Sequence, residues 1–209
     1  MIELILQLVV LLLALTVHEC AHAWTADRLG DSTARSLGRI TLNPIPHIDP
    51  FGTILFPLLM IVLNTGVVFG WAKPVPVVPR HFRNPRRDMA IVAAAGPVSN
   101  LLQALVFAAL FHLIGALPGV PGAAGLLLLA QLGVIINVIL AVFNLVPLPP
   151  LDGGGVIRGL LPQHYARKLD KIEPYGMIIL FLLLYLDILH RLIRPPMRFL
   201  MGLLLGDAG

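Results

Sequence analysis

The sequence His18-Glu19-Cys20-Ala21-His22 places two histidines four residues apart, with a glutamate directly after the first. Residues four apart lie on one face of an α-helix, so both imidazoles could bind a single metal ion. Glu19 could then act as a base toward a water molecule on that ion. Because the neighbouring residues are apolar and ionisable side chains in a membrane helix are costly, we interpret this pattern as functional. The alternative is two core histidines with an unrelated glutamate.

A hydrolytic zinc site needs a third protein ligand, because such sites have three ligands and one open position. Besides Glu19, the acids near apolar segments are Glu3, Asp49, Asp152 and Asp187. Asp152 lies in residues 144–155, where an apolar helix ends in prolines and glycines. Broken backbone at membrane depth is tolerated only where it lines a cavity or is buried in protein. We therefore predict that His18, His22 and Asp152 bind one metal ion, and the ligand types favour zinc.

The composition indicates an integral membrane protein. Hydrophobic residues make up 57% of the 209 residues and charged residues only 12%, whereas soluble domains carry about 25% charged residues. The single cysteine, Cys20, excludes an internal disulfide and a cysteine metal cluster. The net charge is +4, but the basic residues lie beside apolar segments and are not interleaved with aromatic residues. We therefore expect membrane loops and no nucleic-acid binding.

Five apolar segments predict an all-α polytopic membrane protein with four to five transmembrane helices and a re-entrant segment. They are residues 2–26, 51–69, 89–117, 125–146 and 176–189. We expect one domain over residues 1–209, with a core at about 1–160 and a C-terminal helix and amphipathic tail at about 175–206. Two arrangements remain open for the end of the chain: residues 176–190 cross the membrane, or the tail lies along its inner surface.

The loops predict an orientation. Residues 71–88 and 158–171 are rich in Lys and Arg, whereas residues 118–124 carry no charge. Basic loops favour the cytoplasmic side. No Lys or Arg precedes Arg28, so we expect the first helix to be retained and not cleaved as a signal peptide.

The shared metal site also constrains the topology. Both ligand motifs fall near the C-terminal ends of their helices, so segments 2–26 and 125–146 must run in the same direction. This fails if residues 51–69 cross the membrane fully, and we therefore predict that they form a half-membrane helix that returns as an extended segment. A strand edge at about residues 67–77 could hold an unwound substrate by β-augmentation. Pro74 and Pro76 fit an edge strand, since proline has no N–H to donate.

Three motifs together resemble the site-2 protease family of intramembrane zinc metalloproteases. They are H-E-C-A-H at residues 18–22, A-G-P-V-S-N at 95–100 and N-L-V-P-L-P-P-L-D-G at 144–153. The runs at 43–53 and 70–76 resemble a compact bacterial and archaeal branch that lacks a PDZ domain. The resemblance implies a prokaryotic inner or plasma membrane, with the active site toward the cytoplasm. It also implies hydrolysis of peptide bonds in or near transmembrane segments of membrane-protein substrates.

The same resemblance assigns roles to residues. It implies one Zn²⁺ bound by His18, His22 and Asp152, with Glu19 as general base. Asn144 matches an asparagine that holds the substrate backbone or the oxyanion; the alternative is a polar group satisfied by carbonyls of its own helix. Gly96, Pro97 and Asn100 are expected to pack, and His47 to be structural.

Two other functions are compatible with a metal site in a membrane protein. A metal transporter would need ligands repeated along a path, and often inverted repeats; the sequence contains neither. A non-catalytic scaffold would have no need of Glu19, which is intact.

Overall fold

The computed structural model describes residues 2–56, 59, 62, 70–117 and 121–206, and these residues are mostly helical, with no β-strand among them. The α-helices that lie wholly within them are α1 (Ile2–Leu29), α2 (Thr33–Ser36), α3 (Pro85–Ala116), α4 (Ala123–Asn144), α5 (Asp152–Leu160), α6 (Gln163–Ile172), α7 (Gly176–Tyr185) and α8 (Ile188–Leu205). Short 3₁₀ turns occur at Ile45–His47, Pro79–His81 and Glu173–Tyr175, and a π-helical turn at Pro50–Leu55.

Helices α1, α3 and α4 are each long and apolar enough to cross a membrane. The helices Gln163–Tyr185 and Ile188–Leu205 meet at a bend of 78° and would supply a fourth span if they count as one. The chain is therefore an all-α polytopic membrane protein, as the sequence predicts.

Helix α1 lies against α3 in the antiparallel direction. His22 of α1 contacts the carbonyl of Val92, whereas Ala14, two turns earlier in α1, accepts a hydrogen bond from Asn100. Residue numbers therefore rise along α1 as they fall along α3. The approach is close because α3 presents small residues at this contact, as is common between membrane helices.

Helix α4 is also antiparallel to α3. Asn100 donates to Asn137, and further along α3 the ring of Phe107 lies against Gly133, where a Cβ would be 2.2 Å from the ring. Since α1 and α4 both oppose α3, they run in the same direction, which is the arrangement that a shared metal site requires.

Gly52 and Thr53 lie beside Trp71, although about 18 positions separate them in the sequence. The N–H of Trp71 donates to the carbonyl of Gly52 over 3.1 Å, and the hydroxyl of Thr53 donates to the carbonyl of Trp71 over 2.8 Å. The residues before and after the intervening segment therefore lie next to each other. The predicted half-membrane helix and the first part of its extended return fall mainly on residues 57, 58, 60, 61 and 63–69, which lie outside the described residues.

Residues 70–78, which we call the strap, carry neither helix nor strand. The strand edge predicted at about residues 67–77 is therefore not formed over residues 70–77, the described part of that segment, where no neighbouring strand pairs with it. The far end of the strap is anchored to Asp31, which accepts hydrogen bonds from Val78 N–H, from Thr33 and from the His81 imidazole. Burial acts to raise the pKa of Asp31, but these hydrogen bonds lower it to about 2. The anchor is therefore an ionised carboxylate at any pH near neutrality.

The apolar helix α7 has 10 residues, a length of about 15 Å, which is too short for a full crossing by itself; with the helices on either side of it, it forms the bent fourth candidate span. Helix α8 then packs along α3 and α4. Leu189 near its start clusters with Val146 and Leu151 just beyond α4, and Leu204 near its end packs against the cluster around Val134. The amphipathic tail predicted from the sequence is thus helix α8, which packs alongside the bundle.

Candidate metal centre

Two helices bring three potential ligands to one point. His18 Nε2 and His22 Nε2 are 3.1 Å apart, and each faces one oxygen of Asp152, at 3.1 Å from His18 and 3.4 Å from His22. The ligand atoms of all three lie within 4.8 Å of one another. Within the described residues, no other group of three His, Cys, Asp or Glu side chains is arranged to hold a metal ion.

The proton positions on both imidazoles follow from their partners. His22 Nδ1 lies 2.7 Å from the carbonyl of Val92, which can only accept, so Nδ1 must donate. His18 Nδ1 lies 2.6 Å from Asn100 Oδ1, and the orientation of that amide is set because its Nδ2 donates to Asn137 over 2.8 Å. Both Nε2 atoms therefore carry lone pairs and are free to coordinate a metal, as in most histidine metal sites.

The ligand cluster is unfavourable without a cation. Two Nε2 lone pairs and a carboxylate converge, and the buried Asp152 Oδ2 has no hydrogen-bond donor in the part of the chain that the structure describes. Buried acceptors without donors are costly, whereas a positive ion between these atoms would satisfy all three. Two imidazole nitrogens and one carboxylate oxygen are a common catalytic zinc set. The residues present therefore fit zinc.

Gly96 is required where α3 passes the imidazoles. A Cβ at this position would lie 2.4 Å from His22 Nε2 and 2.6 Å from His18 Nε2, much closer than atoms can approach. The glycine in the A-G-P motif, expected only to pack, is thus the residue that leaves room for the ligand cluster.

Asp152 reaches the histidines because the chain turns back after α4. Leu151 is extended, with ψ 154°, and α5 begins at Asp152. The first turn of α5 packs so tightly on the end of α4 that a Cβ at Gly153 would be 2.3 Å from the carbonyl oxygen of Leu145. The proline and glycine run after α4 therefore returns the aspartate to the depth of the histidines.

Glu19 lies beside the strap. The N–H of Val75 donates to Glu19 Oε2 over 3.2 Å. Two earlier strap residues also bond inward: Trp71 N–H donates to Gly52, and Lys73 N–H donates to the carbonyl of His47 over 2.8 Å. Pro74 and Pro76 flank Val75, so Val75 supplies the sole N–H donor of residues 74–76. The contact with Lys73 uses the main chain of His47, whose side chain Nε2 lies 3.0 Å from the carbonyl oxygen of Thr41.

Asn144 is the last residue of α4, and its Nδ2 donates to the carbonyl of Leu140 over 3.0 Å. This contact with its own helix corresponds to the alternative given for Asn144 above. Among the described residues, no hydrogen bond joins Asn144 to the ligand cluster.

The sequence interpretation missed a buried amide chain behind His18. Asn100 and Asn137 are fully buried, and Asn137 Nδ2 continues the chain to the carbonyl of Gly133 over 2.9 Å. Asn100, expected to pack, also sets the tautomer of His18. An asparagine in the middle of each of two apolar helices was a usable signal, because polar side chains at membrane depth need partners.

Comparison with known proteins identifies the family. A family model described as peptidase family M50 matches residues 119–186. A protein of Bacillus subtilis strain 168 named "Putative zinc metalloprotease YwhC" is 42% identical over 192 residues, which cover 90% of this chain and 84% of that protein. The chain belongs to peptidase family M50, the site-2 protease family. This confirms the resemblance seen in the sequence motifs.

More distant relatives of the M50 chain occur in mycobacteria under the name "Putative zinc metalloprotease Rip2". The relative from Mycolicibacterium smegmatis strain ATCC 700084 is 31% identical over 180 residues, which cover 86% of this chain and 66% of the relative. That from Mycobacterium tuberculosis strain H37Rv is 30% identical over 174 residues, covering 82% and 63%. No solved structure matches the chain. Zinc is the cofactor of this family of metalloproteases, and the three clustered side chains fit it.

The buried amide of Asn100 is open to a direct test. We expect Asn100→Leu to weaken zinc binding or activity about 10–100-fold, because the partner of a ligating histidine sets its tautomer and orientation. Asn100→Asp, which keeps an oxygen facing His18, should retain most of the zinc affinity. Ser99→Ala is the matched control, since Ser99 is a buried neighbour whose hydroxyl donates to the carbonyl of its own helix at Gly96. The measurement is zinc affinity by chelator competition; wild-type affinity in Asn100→Leu would contradict the role.

Proposed function

We propose that this M50 protein is an intramembrane zinc endopeptidase that hydrolyses peptide bonds in or near transmembrane segments of membrane-protein substrates. His18, His22 and Asp152 bind the zinc ion, and Glu19 is the general base. The observation that carries the proposal is the convergence of both Nε2 atoms and the Asp152 carboxylate on one point of a membrane-length helix that also bears Glu19.

The chemistry divides among the residues as follows. Bound zinc supplies Lewis-acid polarisation of the substrate carbonyl and acidifies a water molecule. Glu19 takes a proton from the attacking water and delivers it to the nitrogen of the departing amine. The water oxygen first bonds to the carbonyl carbon, which places negative charge on the carbonyl oxygen; the C–N bond then breaks as the amine nitrogen takes the proton from Glu19. Val75 N–H, 3.2 Å from Glu19 Oε2, holds the carboxylate in place for both transfers.

Asn144 would donate from Nδ2 to the substrate carbonyl oxygen as negative charge develops there. To do so it must exchange its present partner, the carbonyl of Leu140. The exchange is local, because Asn144 ends α4 and the chain beyond it is irregular.

The strap is the element best suited to hold an unwound substrate. The N–H groups of Trp71, Lys73 and Val75 bond toward the bundle. In an extended segment the main-chain groups of alternate residues point in opposite directions, so the carbonyls of Pro74 and Pro76 would be available to accept hydrogen bonds on the other side. A substrate segment would pair with this edge by donating its N–H groups.

The proposed location is a prokaryotic inner or plasma membrane, with the ligand cluster toward the cytoplasm. The basic residues at the start of α3 and the end of α5 lie at the same end of the bundle as the ligand cluster, since α5 begins with Asp152 and packs on α3. Basic residues at one end mark the cytoplasmic side. The partners are then the lipid bilayer and a protein with a transmembrane segment, and not a nucleic acid.

Removal of zinc tests the proposal. Purified protein in lipid nanodiscs is stripped with a chelator, and cleavage of a single-span helical test substrate is followed before stripping, after stripping and after zinc is returned. We expect cleavage to disappear with the metal and to return with it, and a mock-treated sample to cleave throughout. Cleavage by the stripped protein would reveal a contaminating protease. A zinc-loaded protein that cuts no membrane substrate would favour the transporter or scaffold function.

A further inference from the structure

An open cavity of about 620 Å³ lies at the end of the bundle where α3 begins. One wall is formed by residues 83–87, the turn that leads into α3, and the other by residues 159–162, the end of α5 and the turn after it. It is separate from the ligand cluster, and the proposed hydrolysis makes no use of it.

The walls of the cavity are strongly basic. Arg83, Arg86 and Arg87 line it, and its lining contains no acidic side chain. None of the three has an ion-pair partner among the described residues, whereas Arg158 just outside pairs with Asp170 at 2.8 Å. Three guanidinium groups without counter-ions around one space attract an anion, and the planar, forked donors of arginine suit phosphate oxygens in particular.

The start of α3 adds to the positive potential. The first N–H groups of a helix have no partner within it, and Asn84, the N-cap, makes no side-chain hydrogen bond to them. The one carboxylate in this turn, Asp88, is buried, is not part of the cavity lining, and accepts from the backbone N–H of Asn84 over 3.0 Å. The backbone N–H groups of Arg86 and Arg87, also in this first turn, add to the positive charge of the arginine side chains.

The two walls are held in a fixed relation. Where α5 crosses α3, a Cβ at Gly159 would lie 2.3 Å from Ala90 Cβ and 2.9 Å from the Arg86 carbonyl oxygen. This contact allows little movement of one wall relative to the other. Next to it, Leu160 is 76% exposed and offers an apolar surface adjoining the basic one.

The position of the cavity indicates the source of the anion. Helix α3 has 32 residues and is about 48 Å long, whereas the hydrocarbon core of a bilayer is about 30 Å thick. The apolar part of α3 starts at Met89, so the three arginines lie at the level of the lipid headgroups. We propose that the cavity binds the phosphate headgroup of an anionic phospholipid, with the arginines on the phosphate and Leu160 along the acyl chain.

The test uses the full-length protein and native mass spectrometry. Protein in detergent is mixed with phosphatidylglycerol, with phosphatidylcholine or with inorganic phosphate, and bound molecules are counted. We expect wild type to retain phosphatidylglycerol in preference to phosphatidylcholine. Replacing Arg83, Arg86 and Arg87 together by Gln should weaken phosphatidylglycerol binding about a hundredfold, given about fivefold for each basic residue.

A charge-matched control separates the cavity from net charge. Replacing Arg167, Lys168 and Lys171 of α6 by Gln removes the same three charges from exposed positions outside the cavity, and should leave binding unchanged. Zinc content and thermal unfolding report whether each variant is folded. Equal loss in both triple variants would overturn the proposal, as would unaltered binding in the cavity variant. Binding of inorganic phosphate as strong as that of the lipid would assign the cavity to a soluble anion instead.

Discussion

Glu19→Gln is expected to lower the rate of substrate cleavage by about 10²–10⁴-fold, the contribution of a general base, and to leave the bound zinc in place. Glutamine keeps the size of the side chain and an oxygen for Val75 N–H, but it cannot take a proton from water. The three ligand side chains are untouched, because Glu19 is not among the atoms that converge. The measurement pairs zinc content with cleavage of the single-span test substrate.

Glu3→Gln is the control for this variant. Glu3 lies on the same helix, is exposed and, among the described residues, has Gln7 as its hydrogen-bond partner, so its replacement should change neither cleavage nor zinc. If Glu19→Gln cleaves at the wild-type rate, Glu19 is not the base. If the variant loses zinc as well as cleavage, Glu19 is needed to form the metal site. The assignment of Glu19 as a base that does not contribute to zinc binding would then be wrong.

Asp152→Asn should release the zinc and, as a consequence, abolish cleavage. The change removes the carboxylate charge that faces both Nε2 atoms at 3.1 and 3.4 Å, while it keeps the shape of the side chain. The loss of zinc affinity should exceed the about 10–100-fold typical of a residue that only supports a ligand. Chelator competition measures the affinity, and added zinc should rescue cleavage only at concentrations well above those needed by wild type.

Asp170→Asn provides the comparison for Asp152. Asp170 pairs with Arg158 on the exposed surface, so it tests the loss of one acid in the same region without touching the ligand cluster. Zinc affinity in Asp152→Asn equal to that of this control would remove Asp152 from the ligand set.

Much of the fold and of the candidate site could be predicted because the relevant signals are local. The spacing of His18 and His22 lies within one turn of helix, and the break in the chain around Asp152 can be seen in the prolines and glycines themselves. The requirement that these residues meet then predicted the relative direction of two helices and a re-entrant segment between them. Helices α1 and α4 do run in the same direction, and Trp71, which follows the segment, hydrogen-bonds to Gly52, which precedes it.

The remaining features depend on contacts that no local pattern encodes. Asn100 hydrogen-bonds to His18, although 82 positions separate the two residues in the sequence. The presence of an asparagine in an apolar helix did not by itself show which residue its side chain contacts. Helix α8 has the same apolar and basic periodicity whether it rests on a membrane surface or on other helices. Its position beside α4 follows from a matching surface around Val134 that only the folded bundle presents.

The prolines of the strap also affect how this protein behaves among copies of itself. An exposed extended edge that both donates and accepts can pair with the same edge of another molecule, which is a common route to aggregation. Pro74 and Pro76 leave carbonyls but no N–H groups at these two positions of the strap. The same two positions of two molecules would present acceptors to each other and could not form a ladder. This part of the strap therefore favours a segment that brings its own donors over the same part of a second strap.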